Sequence, residues 1–288
     1  MKSLWQDIRY KFLQSGSRIN LLIGINVLVF LLINVPAIIL RLMGNTMLDS
    51  FAHEYLALPA HLPTLLTRFW TPVTYMFMHA DIFHILFNML WLFWMGQIFE
   101  EYLGNKRLVS LYIIGGLAGA TFYILSFNIF PFFAGVLPFA TVVGASASVM
   151  AIVVATATLL PNYTIYLMFL GPVKLKWIAV FYVVIDFLSI TGPNAGGEIA
   201  HLGGALLGFL YIKQLKRGQD WSRAVDNVFN QRPKVKVAAQ NKTYQQQSPS
   251  TPRQDEIDHI LDKISQSGYE SLNKHEKEVL FRASKNES

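Results

Sequence analysis

Apolar residues crowd into six stretches of the chain, at about Leu21 to Leu40, Ile82 to Phe99, Leu108 to Phe127, Val142 to Leu160, Trp177 to Ile190 and Ile199 to Ile212. A helix rising 1.5 Å per residue needs roughly twenty such residues to cross a hydrocarbon layer of about 30 Å. The first four stretches meet that length. The last two are short, and flanking uncharged residues from Thr191 to Gly197, or burial inside a bundle, would complete them. The pattern predicts an all-α membrane protein built on a six-transmembrane-helix bundle.

Between the first two stretches lies a long semi-apolar connection, FAHEYLALPAHLPTLLTRFWTPVTYMF, which Pro59, Pro63 and Pro72 interrupt too often for a further span. It is expected to lie against the outer leaflet, with Trp70 and Tyr75 in the interfacial zone. Beyond the sixth stretch the composition turns polar. Residues 1–17 read as a cytoplasmic N-terminal segment, 18–213 as the membrane body and 214–253 as a polar linker. The core of that linker, Gln231 to Pro252, has the composition of a disordered segment. In 254–288, Ile257, Ile260, Leu261 and Ile264 recur at helical spacing up to Gly268. Asn273 to Glu276 then resembles a capping box ahead of Val279, Leu280 and Phe281. This predicts a small cytoplasmic helical hairpin, too small for a core of its own, that suits a protein partner better than catalysis.

Composition sharpens the division. Hydrophobic residues make up 53% of the 288 and charged residues 15%, and no Asp, Glu, Lys or Arg occurs from Leu108 through Val173. The net charge of +6 does not indicate nucleic acid, because Lys and Arg flank the apolar stretches, where orientation in a bilayer already calls for them. The basic N-terminus, Lys106 with Arg107, Lys174 with Lys176, and Lys213 with Lys216 and Arg217 all agree on one topology, with both termini cytoplasmic. Absence of cysteine excludes disulfides and thiolate chemistry. No HExxH spacing occurs, so neither a metal nor another cofactor is expected.

Polar side chains inside spans are costly and need an account. His84 and Asn88 stand at i, i+4 in HADIFHILFN, behind His79, and share one helix face. Packing between helices and donation into a polar cavity both explain them. GASAS, Gly144 to Ser148, opens the fourth stretch, and AHLGGALLG, with His201, Gly204 and Gly208, opens the sixth. The small residues suit close helix packing. The charge pattern, however, puts His84, Ser146 and His201 at similar depth near the outer face. A serine, two histidines and an asparagine converging there meet the needs of acyl transfer, namely nucleophile, base and oxyanion donors. Ser148 lies about 200° further round the same helix and cannot face the cavity as well. Nothing in the sequence aims Asp186 at an imidazole, which leaves a Ser–His dyad as the expectation.

These motifs resemble the rhomboid family of intramembrane serine proteases. HILFNMLW matches its HxxxN, GASA its GxSG, and AHLGGALLG its AHxxG with a second glycine, in the expected order; Glu100 after Gly96 also fits. The resemblance implies Ser146 as nucleophile, His201 as general base, and an oxyanion hole of His84, Asn88 and the Ser146 backbone. Gly144, Ala147, Gly204 and Gly208 would be structural neighbours of the site. Substrates would be single-span membrane proteins cut near their outer ends, in a cell membrane of the bacterial inner-membrane type. Ala147, where the family usually has glycine, and Thr71 after Trp70, where arginine is frequent, depart from the pattern. A catalytically inactive rhomboid-like protein that binds membrane helices is the alternative, and a transporter using His79, His84 and Asp186 a third reading.

Overall fold

The structure, a computed structural model, describes residues 16–167, 171–222 and 254–285. The chain divides into two compact units, residues 1–231 and 232–288. The first is built from helices α1 (Arg18–Leu42), α2 (Met47–Tyr55), α3 (Leu62–Thr67), α4 (Thr71–Thr74), α5 (Ile82–Leu103), α6 (Asn105–Ile129), α7 (Ser146–Leu159), α8 (Leu175–Ser189) and α9 (Ala195–Lys216). Among the described residues, α1, α5, α6 and α9 are long and apolar enough to cross a membrane. Each of the six apolar stretches contains one helix of the bundle. The two shorter helices, α7 and α8, have 14 and 15 residues.

Local chemistry sets the helix ends. Asp81 is extended and its side chain accepts from the N–H groups of Phe83 and His84, which starts α5. Gly104, at φ 82°, ends α5 and leads directly into α6, a left-handed turn that suits glycine. The same corner caps α1: Glu100 accepts from Ser17 Oγ at 2.9 Å and from the Arg18 N–H at 2.8 Å. These bonds satisfy groups that a helix start leaves open.

At about 21 Å, α7 is shorter than a hydrocarbon layer, and it is buried continuously from Ala147 to Ala157. A helix apolar on all sides belongs inside a bundle. Two pairs of glycines let its neighbours reach it. A Cβ on Gly204 or Gly208 of α9 would fall on the carbonyl oxygens of Ala147 and Ala151. On the other flank, a Cβ on Gly119 of α6 would sit 2.5 Å from the Ala147 methyl, and one on Gly115 equally close to that of Ala151. The packing face expected at Gly204 and Gly208 is therefore matched by a second at Gly115 and Gly119 that the sequence reading passed over.

Helix α7 starts later than expected. Thr141 and Val142 form a strand, β2, paired antiparallel with β1 (Leu58–Pro59), and Gly144 donates its N–H to the Tyr75 carbonyl at 2.9 Å. Val142, which looked like the top of a span, thus helps tie the connection between α1 and α5 to the loop before Ser146. Helix α9 starts earlier, at Ala195, which places Glu198 in its first turn rather than in a loop. Tyr75 is not interfacial: it is 1% exposed and donates to the Gly116 carbonyl at 2.5 Å. Trp70 is partly exposed, its indole N–H bonded to the Tyr55 carbonyl. Strands β3 (Thr164–Leu167) and β4 (Gly171–Lys174), an unforeseen hairpin, join α7 to α8.

The second unit contains α10 (Gln254–Ser267) and α11 (Lys274–Lys285). The capping box forms: Asn273 Oδ1 accepts from the Glu276 N–H at 2.9 Å, and Glu276 Oε2 accepts from the Asn273 N–H at 2.8 Å. Contrary to the expectation that the hairpin is too small for a core of its own, Ile260, Leu272 and Val279 are buried together as a small one. The turn at Leu272 folds the two amphipathic helices face to face, whereas Leu261 and Phe281 stay exposed. The segment Gln231 to Pro252, read as a linker, and the basic residues Lys2, Arg9 and Lys11 lie outside the described residues.

Candidate active site

Ser146, His84, Asn88, Asp186 and His201 line one cavity of about 500 Å³. Its wall is largely apolar, with Phe87 and Trp91 from α5, Met150 and Val153 from α7, and Tyr182 and Ile185 from α8. A neighbouring cavity of about 730 Å³, framed by the connections around Thr141 and Pro193, shares Asp81, His84, Val143, Asn194 and Gly197 with it.

Ser146 is the first residue of α7. Gly144, two positions before it, has φ 136°, a backbone that side chains rarely adopt. A Cβ there would sit 2.9 Å from His84 Nε2 and 3.3 Å from Ser146 Oγ, so those two atoms face the same point above the glycine. The helix start adds N–H groups without intrahelical partners and the positive end of the helix dipole. Ser148 is 1% exposed, and a Cβ on Gly116 would lie 2.6 Å from its Oγ; it faces α6, not the cavity.

His84 occupies the first turn of α5, held by the Asp81 cap. The Ala80 N–H points at its Nδ1 at 3.4 Å, which makes Nδ1 the acceptor and leaves the proton on Nε2, the nitrogen toward Ser146. His79 packs edge-on against it at 5.1 Å between ring centres. Burial, then the nearby His84, push the His79 imidazole down to about 4, so it is neutral near pH 7. One turn along α5, Asn88 is 7% exposed and its Nδ2 has no hydrogen-bond partner. A buried amide donor left open costs free energy unless something accepts from it.

His201, in the second turn of α9, lies one turn before Gly204. Its Nδ1 is 3.2 Å from Asp186 Oδ1, and since a carboxylate can only accept, the imidazole donates through Nδ1 and keeps Nε2 as a base. Asp186 comes from α8, is 4% exposed, and its Oδ2 has no partner. The structure thus brings to His201 a carboxylate that the sequence did not aim there. Burial of an acidic residue in a span was the signal. Glu198 Oε2 stands further off, 3.9 Å from the same nitrogen.

Ala147 fills the space between α7 and α6 and is 1% exposed. Ala147→Gly removes that methyl and the better helix former, so a loss of about 1 kcal/mol is expected. Thermal unfolding in detergent would show it, with reaction at Ser146 retained.

A mainly helical, multi-pass membrane fold with a serine at a glycine-kinked helix start and a histidine on the adjoining helix defines the class. Residues 66–217 match the Rhomboid domain family, over half the chain, and the protein belongs to that family. Residues 248–286 match a family of unknown function, DUF6576. The chain is 33% identical over 161 residues to "RHOMBOID-like protein 12, mitochondrial" of Arabidopsis thaliana, covering 53% of this chain and 48% of that protein. The chain therefore spans about half the length of this relative.

Proposed function

We propose that this chain is an intramembrane serine endopeptidase that cuts transmembrane helices of single-span proteins near the outer face. The observation that carries the reading is the meeting of Ser146, His201, His84 and Asn88 in one cavity, with Nε2 of His84 turned toward Ser146. His201 Nε2 takes the proton of Ser146 Oγ as the oxygen attacks the scissile carbonyl carbon. The oxyanion accepts from the Ser146 N–H, His84 Nε2–H and Asn88 Nδ2, which gives that open donor its partner. His201 then returns the proton to the leaving amine. Water entering from the upper cavity hydrolyses the acyl-enzyme by the same proton route.

In this reading α1, α5, α6, α7, α8 and α9 are all spans, and the basic connections put both termini in the cytoplasm of a bacterial-type cell membrane. Asp186 orients His201, extending the Ser–His pair. Asp186→Asn keeps size and loses the charge, and it is expected to lower kcat about ten-fold or more with KM little changed. A mere packing role would instead lower the unfolding temperature and leave kcat intact.

The direct test reconstitutes the purified protein in lipid with a single-span reporter. Wild type is expected to release a fragment cut within the span, and Ser146→Ala or His201→Ala none. If the reporter stays bound but whole in wild type and variants alike, the helix-binding alternative takes its place.

A further inference from the structure

Two carboxylates crowd the nitrogen of His201 that points away from catalysis. Asp186, Glu198 and His201 each bring one ligating atom into a group in which all lie within 4.8 Å of one another. From His201 Nδ1 the distances are 3.2 Å to Asp186 Oδ1 and 3.9 Å to Glu198 Oε2. An ion with bonds of about 2.0–2.2 Å sets its tetrahedral ligands roughly 3.3–3.6 Å apart, so His201 and Asp186 are already near that spacing and Glu198 has to draw closer. A separate observation points to a ligand: Asp186, 4% exposed, has its Oδ2 buried and unpartnered. Two carboxylates side by side in a half-buried site repel each other, and either a shared proton or a metal ion between them relieves that repulsion.

We propose that Asp186, Glu198 and His201 form a divalent-cation site of the zinc type that switches off the general base. The donor set selects the ion: one imidazole with two carboxylates suits zinc, whereas calcium and magnesium call for oxygen ligands throughout. Asn194 and Gly197 border both cavities, so a hydrated ion reaches the group from the aqueous side. The ion takes the Nδ1 lone pair of the other tautomer, formed when the ring's single proton passes through water from Nδ1 to Nε2. A neutral imidazole metallated at Nδ1 carries that one proton on Nε2 and cannot accept another from Ser146. Inhibition therefore lowers kcat, and a chelator reverses it. The inhibitory consequence rests on His201 being the base; binding of the ion does not.

The test separates the two. Full-length Ser146→Ala protein in detergent is titrated with zinc chloride against a chromogenic zinc indicator, alone and with Glu198→Gln added. Saturable binding near one ion per chain, weakened about ten-fold or more by Glu198→Gln, is expected, with millimolar magnesium failing to compete. Glu198 is only partly buried and Gln keeps its shape, so the variant folds. Circular dichroism confirms that. No saturable binding, or equal affinity in Glu198→Gln, overturns the site, because the histidines elsewhere in the chain would then account for any zinc taken up. On wild type, zinc should lower kcat on the reporter, and Glu198→Gln should need about ten-fold more zinc for the same fractional loss. Binding with an unchanged kcat overturns the switch. A wild type inactive without zinc but binding it as above supports the site and removes the catalytic reading instead.

Discussion

Gly144→Ala is expected to reduce cleavage about a hundred-fold or more while the protein still folds. A methyl at this position meets His84 Nε2 at 2.9 Å and Cε1 at 3.0 Å, and Ser146 Oγ at 3.3 Å. In the proposed mechanism it therefore intrudes between the nucleophile and an oxyanion donor. Loss of one such donor alone costs on the order of 10²–10³ in kcat. The φ of 136° adds strain of about 1–3 kcal/mol for any residue with a side chain. That strain is local to a loop, so the unfolding transition should shift modestly while kcat collapses. A kcat within about three-fold of wild type would show that His84 and Ser146 do not work across this glycine.

Gly204→Val should be more damaging to the fold. Its first side-chain carbon would fall on the Ala147 carbonyl oxygen, and backbone cannot turn aside as a flexible side chain can. Helix α9 must retreat from α7, and the forced expansion is expected to cost about 3 kcal/mol. Because His201 stands one turn before Gly204, the same retreat draws the imidazole away from Ser146. Activity and stability should therefore fall together, unlike the Gly144 case. Leu206→Val, at a side chain 45% exposed on the same helix, is the comparison and should change stability by under about 0.5 kcal/mol. Unfolding curves and cleavage rates of the two variants check this.

Much of the candidate site, as a set of residues that meet in one cavity, was legible in sequence because membrane helices make polar residues conspicuous. His84 and Asn88 share a face by spacing alone, and Ser146 and His201 each stand at the start of an apolar stretch at matching depth. Asp186 was conspicuous too, but its aim depends on how residues 190–194 set α8 against α9, which no periodicity encodes. Tyr75 misled for the opposite reason. An aromatic residue in a semi-apolar connection looks interfacial, yet this one turns inward to bond the Gly116 carbonyl. The start of α7 was misplaced because Val142 and Val143 are as apolar as a span. Only the pairing of Leu58 with Val142, a contact between distant segments, makes them strand and loop. Gly115 and Gly119 carried the same spacing as Gly204 and Gly208 but had no histidine beside them to draw notice.

The measurement that bears most directly on Ser146 as nucleophile is labelling with a fluorophosphonate, followed by peptide mapping of the modified residue. Wild type should carry the phosphonyl group on Ser146, His201→Ala should label far more slowly, and Ser146→Ala not at all. Labelling that persists in Ser146→Ala, or a wild type that fails to label where a known serine hydrolase does, would contradict the account.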